Sequence, residues 1–132
     1  MTQDITTVQD LLDSAHCAVY TYGIVAAYAE DANQALDDQA IHRKLRDRLV
    51  EFCLTHSIPV SPAAAAYQLP TRITDNTSAR SVAGILENRL CNQWATSLFT
   101  LDRVFAQEMI GFPQECALRA YAWSGMTSAF PH

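Results

Sequence analysis

The chain has 132 residues, of which 49% are hydrophobic and 17% are charged, and its formal net charge is −5. This length and composition predict one compact, mostly helical domain over residues 1–132 rather than a disordered chain. The acidic balance argues against a nucleic-acid partner. The longest nearly apolar run, residues 17–29, is too short to span a bilayer, so we expect no membrane partner.

The spacing of the four cysteines bears on the redox compartment of the protein. They stand singly, without the CxxC or zinc-finger spacing of a metal site, at Cys17, Cys53, Cys91 and Cys116. We therefore expect buried, reduced thiols, which is consistent with a cytoplasmic protein. The amino-terminal sequence is acidic and polar and does not fit a signal peptide.

The first predicted helix begins near residues 4–7, where Thr7 and Asp10 form a loose capping-box pattern. Its apolar stripe, with alternate spacings of four and three residues, comprises Val8, Leu12, Ala15, Val19, Tyr22, Ala26 and Ala29. Most flanking positions are apolar too, so this helix is either central or packed against a second subunit. We expect a two-fold homodimer that buries part of the first and second helices.

The second helix is predicted over residues 34–56, after a short polar break that makes it antiparallel to the first. Its apolar stripe contains one polar residue, His42, together with Leu45, Leu49 and Phe52. The basic cluster at residues 42–46 is flanked by Asp37, Asp38 and Asp47. We interpret this cluster as a solvated, locally balanced helix face rather than a phosphate site.

A long connection, residues 58–76, follows the second helix and contains three prolines but neither helical nor strand periodicity. A helix of about 25 residues is about 38 Å long. Residues 58–76, when extended, can reach about 60 Å, enough to run the length of the bundle. We therefore predict an all-α four-helix bundle with one long crossover loop between the second and third helices, the topology of ferritin-like bundles.

The third helix is predicted to begin at a cap formed by Asp75 or Thr77 and to end near residues 99–101. One charged residue, Glu87, lies within or at the edge of its apolar stripe, which comprises Ala83, Leu90, Trp94 and Leu98. A buried carboxylate requires a partner, so this position marks Glu87 as a candidate site residue.

The fourth helix is predicted to begin at a cap formed by Thr100 or Asp102 and to end near Ser124. Pro113 lies in its interior, where a proline lacks the backbone donor and clashes with the carbonyl four residues earlier. We therefore expect this helix to kink or split at Pro113.

Five segments taken in chain order resemble a ferritin-like domain family of unknown function found in actinobacteria. They are residues 15–27, 42–47, 66–70, 86–87 and 117–123, which include the sequences AHCAVYTYGIVAA, AYQLP and ALRAYAW. This resemblance extends over nearly the whole chain and implies the ferritin-like fold without an established activity. The family usually has a glutamate before the histidine of the first helix, whereas this chain has Ala15.

Four polar side chains, one per helix, are expected near the middle of the bundle, within about 8 Å along its axis. They are His16, His42, Glu87 and Glu115. Two imidazoles and two carboxylates could hold a single zinc, manganese or iron ion. A di-iron centre would require Glu-x-x-His pairs, which the sequence lacks.

A buried hydrogen-bonded pair of His42 and Glu87, with His16 or Tyr20 nearby, is the alternative that we favour. Burying either group alone would cost several kcal/mol, so a partner is expected with or without metal. Our leading hypothesis is accordingly a non-catalytic binding or structural module without a cofactor. The alternative function is a metal-binding protein or metal-dependent oxidoreductase that uses the mid-bundle His/Glu site.

Overall fold

The computed structural model describes the backbone of residues 2–125 and the side chains of residues 5–125. This range contains five helices and no strand: α1 (Thr2–Tyr28), α2 (Ala32–Thr55), α3 (Asn76–Ser97), α4 (Arg103–Glu108) and α5 (Phe112–Ser124). The prediction of an all-helical domain is therefore confirmed for residues 2–125. No helix in this range is long and apolar enough to cross a membrane.

Helix α1 packs against both α2 and α3, and α3 packs against α5. At one end of the bundle, Thr7 Oγ1 lies 3.1 Å from Thr100 Oγ1, just beyond the end of α3. At the other end, the backbone N–H of Glu30 donates to Asn76 Oδ1 over 2.8 Å, at the beginning of α3. Helices α1 and α3 are therefore antiparallel.

The connection between α2 and α3, residues 57–75, forms neither helix nor strand and lies along α1. His16 Nε2 is 3.0 Å from the carbonyl oxygen of Ser61. The ring of Tyr20 packs edge-on against Tyr67, with 5.5 Å between the ring centroids. This contact surface gives α1 a third neighbour, which accounts for much of its all-round apolarity without a second subunit.

The beginnings of the first three helices show how local side chains set helix boundaries. Helix α1 begins at Thr2, earlier than predicted, so Thr7 lies inside the helix rather than at its cap. Asp31 caps α2 by accepting a backbone N–H. Asp75, one of the two predicted caps, forms a capping box with Ser78 at the beginning of α3.

The predicted interruption of the fourth helix is a complete split. Asp102, one of the two predicted caps, begins α4 by accepting the backbone N–H of Phe105 over 3.1 Å. That helix ends at Glu108, and α5 begins at Phe112 with Pro113 in its first turn. A first-turn proline removes no intrahelical hydrogen bond, so the residue that would disrupt a continuous helix is well tolerated here.

The buried face of α1 is rotated relative to the predicted stripe. Val19 and Ala26, which the stripe includes, are only half-buried, whereas Leu11, Ala18 and Val25, which it omits, are buried. The buried residues of α1 still form one stripe with spacings of three and four, but its middle is shifted by one position from the predicted stripe. The predicted phase of α2 is confirmed, since its stripe from His42 to Phe52 is buried.

Candidate functional site

A buried polar network centred on Glu87 lies in the middle of the bundle. Its Oε2 atom accepts a hydrogen bond from the hydroxyl of Tyr22 and lies 2.8 Å from Nε2 of His42. Its Oε1 atom lies 3.1 Å from Nε of Arg119, although the direction of that contact does not meet hydrogen-bond geometry. One carboxylate on α3 therefore joins side chains from α1, α2 and α5.

The positions of these residues within their helices bring them to one level. His42 lies ten residues after the beginning of α2, and Glu87 lies eleven residues after the beginning of α3. At 1.5 Å per residue these are about 15 and 17 Å along the axis. Because the break after α1 is short and α1 is antiparallel to α3, both helices begin at the carboxyl-terminal end of α1. Tyr22, six residues before that end, faces both side chains.

The electrostatics of the network favour an ionised Glu87. Burial raises the pKa of Glu87, but the hydrogen bond from His42 and the electrostatic attraction of His42 and then of Arg119 outweigh burial and hold the pKa below its ordinary value. Burial lowers the pKa of Arg119, yet the charge of Glu87 reverses this effect and leaves the pKa raised. Burial and the charge of Glu87 both raise the pKa of Tyr22, which is therefore a neutral donor. Glu87 and Arg119 form a buried ion pair.

His42 uses one of its two ring nitrogens in this network. An ionised carboxylate only accepts hydrogen bonds, so Nε2 of His42 carries the hydrogen that faces Glu87. The other nitrogen, Nδ1, is buried and has no hydrogen-bond partner among the described residues. The ring stacks on Tyr22, with 5.5 Å between centroids, and meets Phe112 edge-on at 6.3 Å. The imidazole is thus fixed in orientation by aromatic neighbours on two sides.

A second buried polar pair lies beside the network. The indole N–H of Trp123 donates to Oδ2 of Asp38 over 2.8 Å, and the Trp123 ring lies 6.1 Å from that of Tyr22. The sequence interpretation placed Asp38 on a solvated face, but the structure buries it. The N–H of a buried tryptophan usually has an acceptor, and for Trp123 that acceptor is Asp38 of α2.

Asp38→Asn is expected to make stability less dependent on pH. Burial, opposed by the Trp123 hydrogen bond and reinforced by the charge of Glu87, raises the pKa of Asp38 above its ordinary value of 3.8. Above that value the unfolded chain binds fewer protons than the folded one at this position, so this contribution to stability falls as pH rises through the folded pKa. The asparagine oxygen can still accept from Trp123 without the buried charge.

Urea unfolding of the parent and of Asp38→Asn between pH 4 and pH 7 measures this effect. The difference in free energy of unfolding, variant minus parent, should increase as pH rises. Asp37→Asn, at an exposed neighbouring position, is the matched control and should show no such gain. A variant that instead loses stability relative to the parent toward pH 7 would show that the Asp38 charge is favourable.

The structure brings together two of the four predicted site residues. His42 and Glu87 form the buried pair that we favoured from the sequence, and that prediction is confirmed. The neighbouring side chain is Tyr22 rather than the predicted His16 or Tyr20. Metal binding itself stays a prediction, although no group of three or more His, Cys, Asp or Glu side chains that could hold a metal ion occurs within the described part of the chain.

The other two predicted ligands lie away from this pair in the structure. His16 contacts the connection between α2 and α3 through the Ser61 carbonyl. Glu115 is exposed near the beginning of α5. Sequence reasoning missed Arg119, which completes the network. Its signal was available, because Arg119 is the one basic residue in α5 and lies between apolar neighbours.

The cysteines are all unpaired, but their burial differs. Cys53 and Cys116 are buried, as expected, whereas Cys17 and Cys91 are half-buried. Cys116 Sγ accepts a hydrogen bond from Arg119 over 3.4 Å. Burial and the charge of Glu87 nevertheless raise the pKa of the Cys116 thiol, so this sulfur stays protonated and is a poor nucleophile.

Comparison with known proteins identifies the family of this chain and a similar solved structure. A crystal structure of a conserved hypothetical protein, rv2844, from Mycobacterium tuberculosis has a TM-score of 0.83 and 27% sequence identity, covering 93% of this chain and 96% of that one. No curated protein matches. Residues 7–132 match the family described as Domain of unknown function (DUF4439). With nearly its whole length matched, the chain belongs to this family.

Proposed function

We propose that the chain is a non-catalytic binding or structural module with the ferritin-like architecture of the actinobacterial domains that its sequence resembles. Antiparallel pairing of α1 with both α2 and α3 supports this architecture, because residues 57–75 must then return along the bundle as a single long crossover. In this arrangement α4 and α5 together take the place of the fourth helix.

The observation that carries the non-catalytic role is the occupancy of Glu87 by protein donors. Tyr22 and His42 occupy one carboxylate oxygen, and Arg119 faces the other. A carboxylate bound to a metal ion needs a free oxygen toward the cation, and the positive charge of Arg119 at 3.1 Å would repel one. The network instead joins α1, α2, α3 and α5, and we infer that it holds these helices in their relative register.

A specific feature of His42 favours the alternative, a metal-binding protein or metal-dependent oxidoreductase. Its buried Nδ1 has no partner among the described residues, and an imidazole nitrogen is a common metal ligand. Zinc at up to one ion per chain would use His16, His42 and Glu87, with Glu115 as a further carboxylate. This arrangement would require His16 to leave the Ser61 carbonyl and Glu115 to turn inward.

Metal analysis of protein purified without chelator or metal-affinity resin tests the proposal. We expect substoichiometric iron and manganese and no ferroxidase activity, because a dinuclear centre distributes its charge over about four carboxylates. Elemental analysis after desalting and an iron(II) oxidation assay provide the measurements. Two tightly held iron or manganese ions per chain would contradict the proposal. One zinc per chain that His42→Ala abolishes would favour the alternative.

We also propose that the chain is a cytoplasmic homodimer without nucleic-acid or membrane partners. The homodimer is supported by exposed apolar side chains on both helices, Tyr28 of α1 at 46% and Leu36 of α2 at 50% exposure. The expected result in light scattering is a dimer across the micromolar range, and Tyr28→Asp with Leu36→Asp should shift it toward the monomer. A parent chain that is monomeric throughout this range would exclude the dimer.

A further inference from the structure

A cleft of about 340 Å³ lies on the outside of the bundle, between α2 and the corner where α4 meets α5. Ile41, Leu45 and Phe112 contribute apolar surface to it. Binding sites for small molecules have volumes of about 300–1,000 Å³, so this cleft suits one of the smaller ligands. It is separate from the Glu87 network, although the Phe112 ring contacts both.

Two of the four charged residues that line this cleft already satisfy each other. Arg48 donates to both carboxylate oxygens of Glu108, with Nε–Oε2 and Nη2–Oε1 distances of 2.7 Å. This hydrogen bonding lowers the pKa of Glu108 and keeps its carboxylate ionised. The pair joins α2 to α4 and contributes no net charge to the cleft.

The other two charged residues of the cleft, Lys44 and Glu115, are solvent-exposed and have opposite signs. Neither the ammonium of Lys44 nor the carboxylate of Glu115 makes a hydrogen bond or ion pair with the described residues. Glu115 Oε2 lies 3.9 Å from the point where a Cβ on Gly111 would stand, so this carboxylate is close to the backbone of the cleft wall. Within residues 5–125, the cleft therefore offers one cation and one anion that the protein does not pair, beside an apolar surface.

We propose that this cleft binds a free apolar α-amino acid. The ligand carboxylate would pair with Lys44, its ammonium with Glu115, and its side chain would cover the apolar surface that includes Phe112. A ligand with a single charge would leave the opposite charge of the cleft without a partner, whereas a zwitterion matches both. This inference rests on the proposed binding role and specifies the ligand class for it.

The larger groove between α3 and α5, of about 400 Å³, does not offer the same chemistry. Its cation, Arg80, already donates to the carbonyl of Ala122 over 2.9 Å, and its guanidinium lies over the Trp123 ring at 5.6 Å. Most of the favourable interactions of that cation are therefore made within the protein. The cleft at Lys44 and Glu115 is the better candidate for a charged ligand.

Titration of the full chain with L-leucine, L-methionine and L-phenylalanine, followed by saturation-transfer NMR and calorimetry, tests this proposal. We expect saturable binding of at least one of the three. N-acetylation of that amino acid removes its ammonium, and amidation removes its carboxylate, so each derivative should bind at least about tenfold more weakly. Lys44→Met and Glu115→Gln should each weaken binding by a similar factor.

Arg43→Met and Glu30→Gln are the matched controls, since both positions are exposed and lie outside the cleft. They should leave the affinity unchanged. No saturable binding of the three amino acids up to about 10 mM, or equal affinity for the blocked derivatives, would overturn the proposal. Such a result would leave the metal analysis unaffected, so failure of this ligand assignment is distinguishable from failure of the non-catalytic role.

Discussion

Glu87→Gln is expected to lower the free energy of unfolding by about 3–5 kcal/mol, the usual cost of breaking a buried ion pair from one side. The amide preserves the shape of the carboxylate but removes its charge. Arg119, whose side chain is 12% exposed, then becomes a cation without a countercharge. The amide also adds a donor in a place where Tyr22 and His42 already donate. Urea unfolding followed by circular dichroism at pH 7 measures the loss.

Two further variants separate the buried charge from a general effect of the substitution. Glu30→Gln, at an exposed position, should change the free energy of unfolding by less than about 0.5 kcal/mol. Adding Arg119→Leu to Glu87→Gln removes the unpaired cation, so the double variant should be more stable than Glu87→Gln alone. If Glu87→Gln were as stable as the parent, the Glu87–Arg119 pair would not be an ion pair in the folded protein.

The pH dependence of the stability loss in Glu87→Gln is a second test of the buried ion pair. Because the folded pKa of Glu87 is below its ordinary value of 4.5, its contribution to stability is fully present above that value. The contribution declines as pH falls through the folded pKa, where the carboxylate becomes protonated in both states. The difference between parent and Glu87→Gln should therefore narrow in acid, opposite in direction to the change expected for Asp38→Asn.

The sequence predicts the helices well because most of their boundaries are determined locally. A side-chain cap such as Asp75 or a proline such as Pro113 acts on the backbone a few residues away, so its effect can be inferred without a tertiary structure. The phase of α1 is different. Its apolar residues surround the helix, and the contacts with α2, α3 and residues 57–75 decide which of them are buried.

The site was predictable only to the extent that burial implies a partner. His42 and Glu87 are single polar residues in apolar stripes, and each therefore indicated the other. Arg119 and Asp38 gave weaker signals, because long or boundary side chains are usually solvated. Whether such residues point into the core depends on the relative axial positions of two helices that are distant in sequence. Those axial positions are set by the packing of the whole bundle.

The aromatic ring of Phe112 should contribute more to stability than most single side chains in this fold. It is buried between the Glu87 network and the outer cleft, with its centroid 5.3 Å from that of Trp94 and 6.3 Å from that of His42. The guanidinium of Arg119 lies over the ring at 5.4 Å. Phe112→Ala is expected to lower the free energy of unfolding by about 3–5 kcal/mol through lost burial and a residual cavity.

Urea unfolding of Phe112→Ala and Phe112→Leu, with Phe99→Ala as a control, measures this contribution. Phe112→Leu retains most of the apolar volume and should lose less stability than Phe112→Ala. Phe99 is 89% exposed, so Phe99→Ala removes the same atoms without opening a cavity and should change stability by less than about 0.5 kcal/mol. Equal losses for Phe112→Ala and Phe99→Ala would mean that Phe112 is not part of the core. A large loss for Phe112→Ala, a smaller one for Phe112→Leu and almost none for Phe99→Ala would show that the buried ring itself stabilises the core.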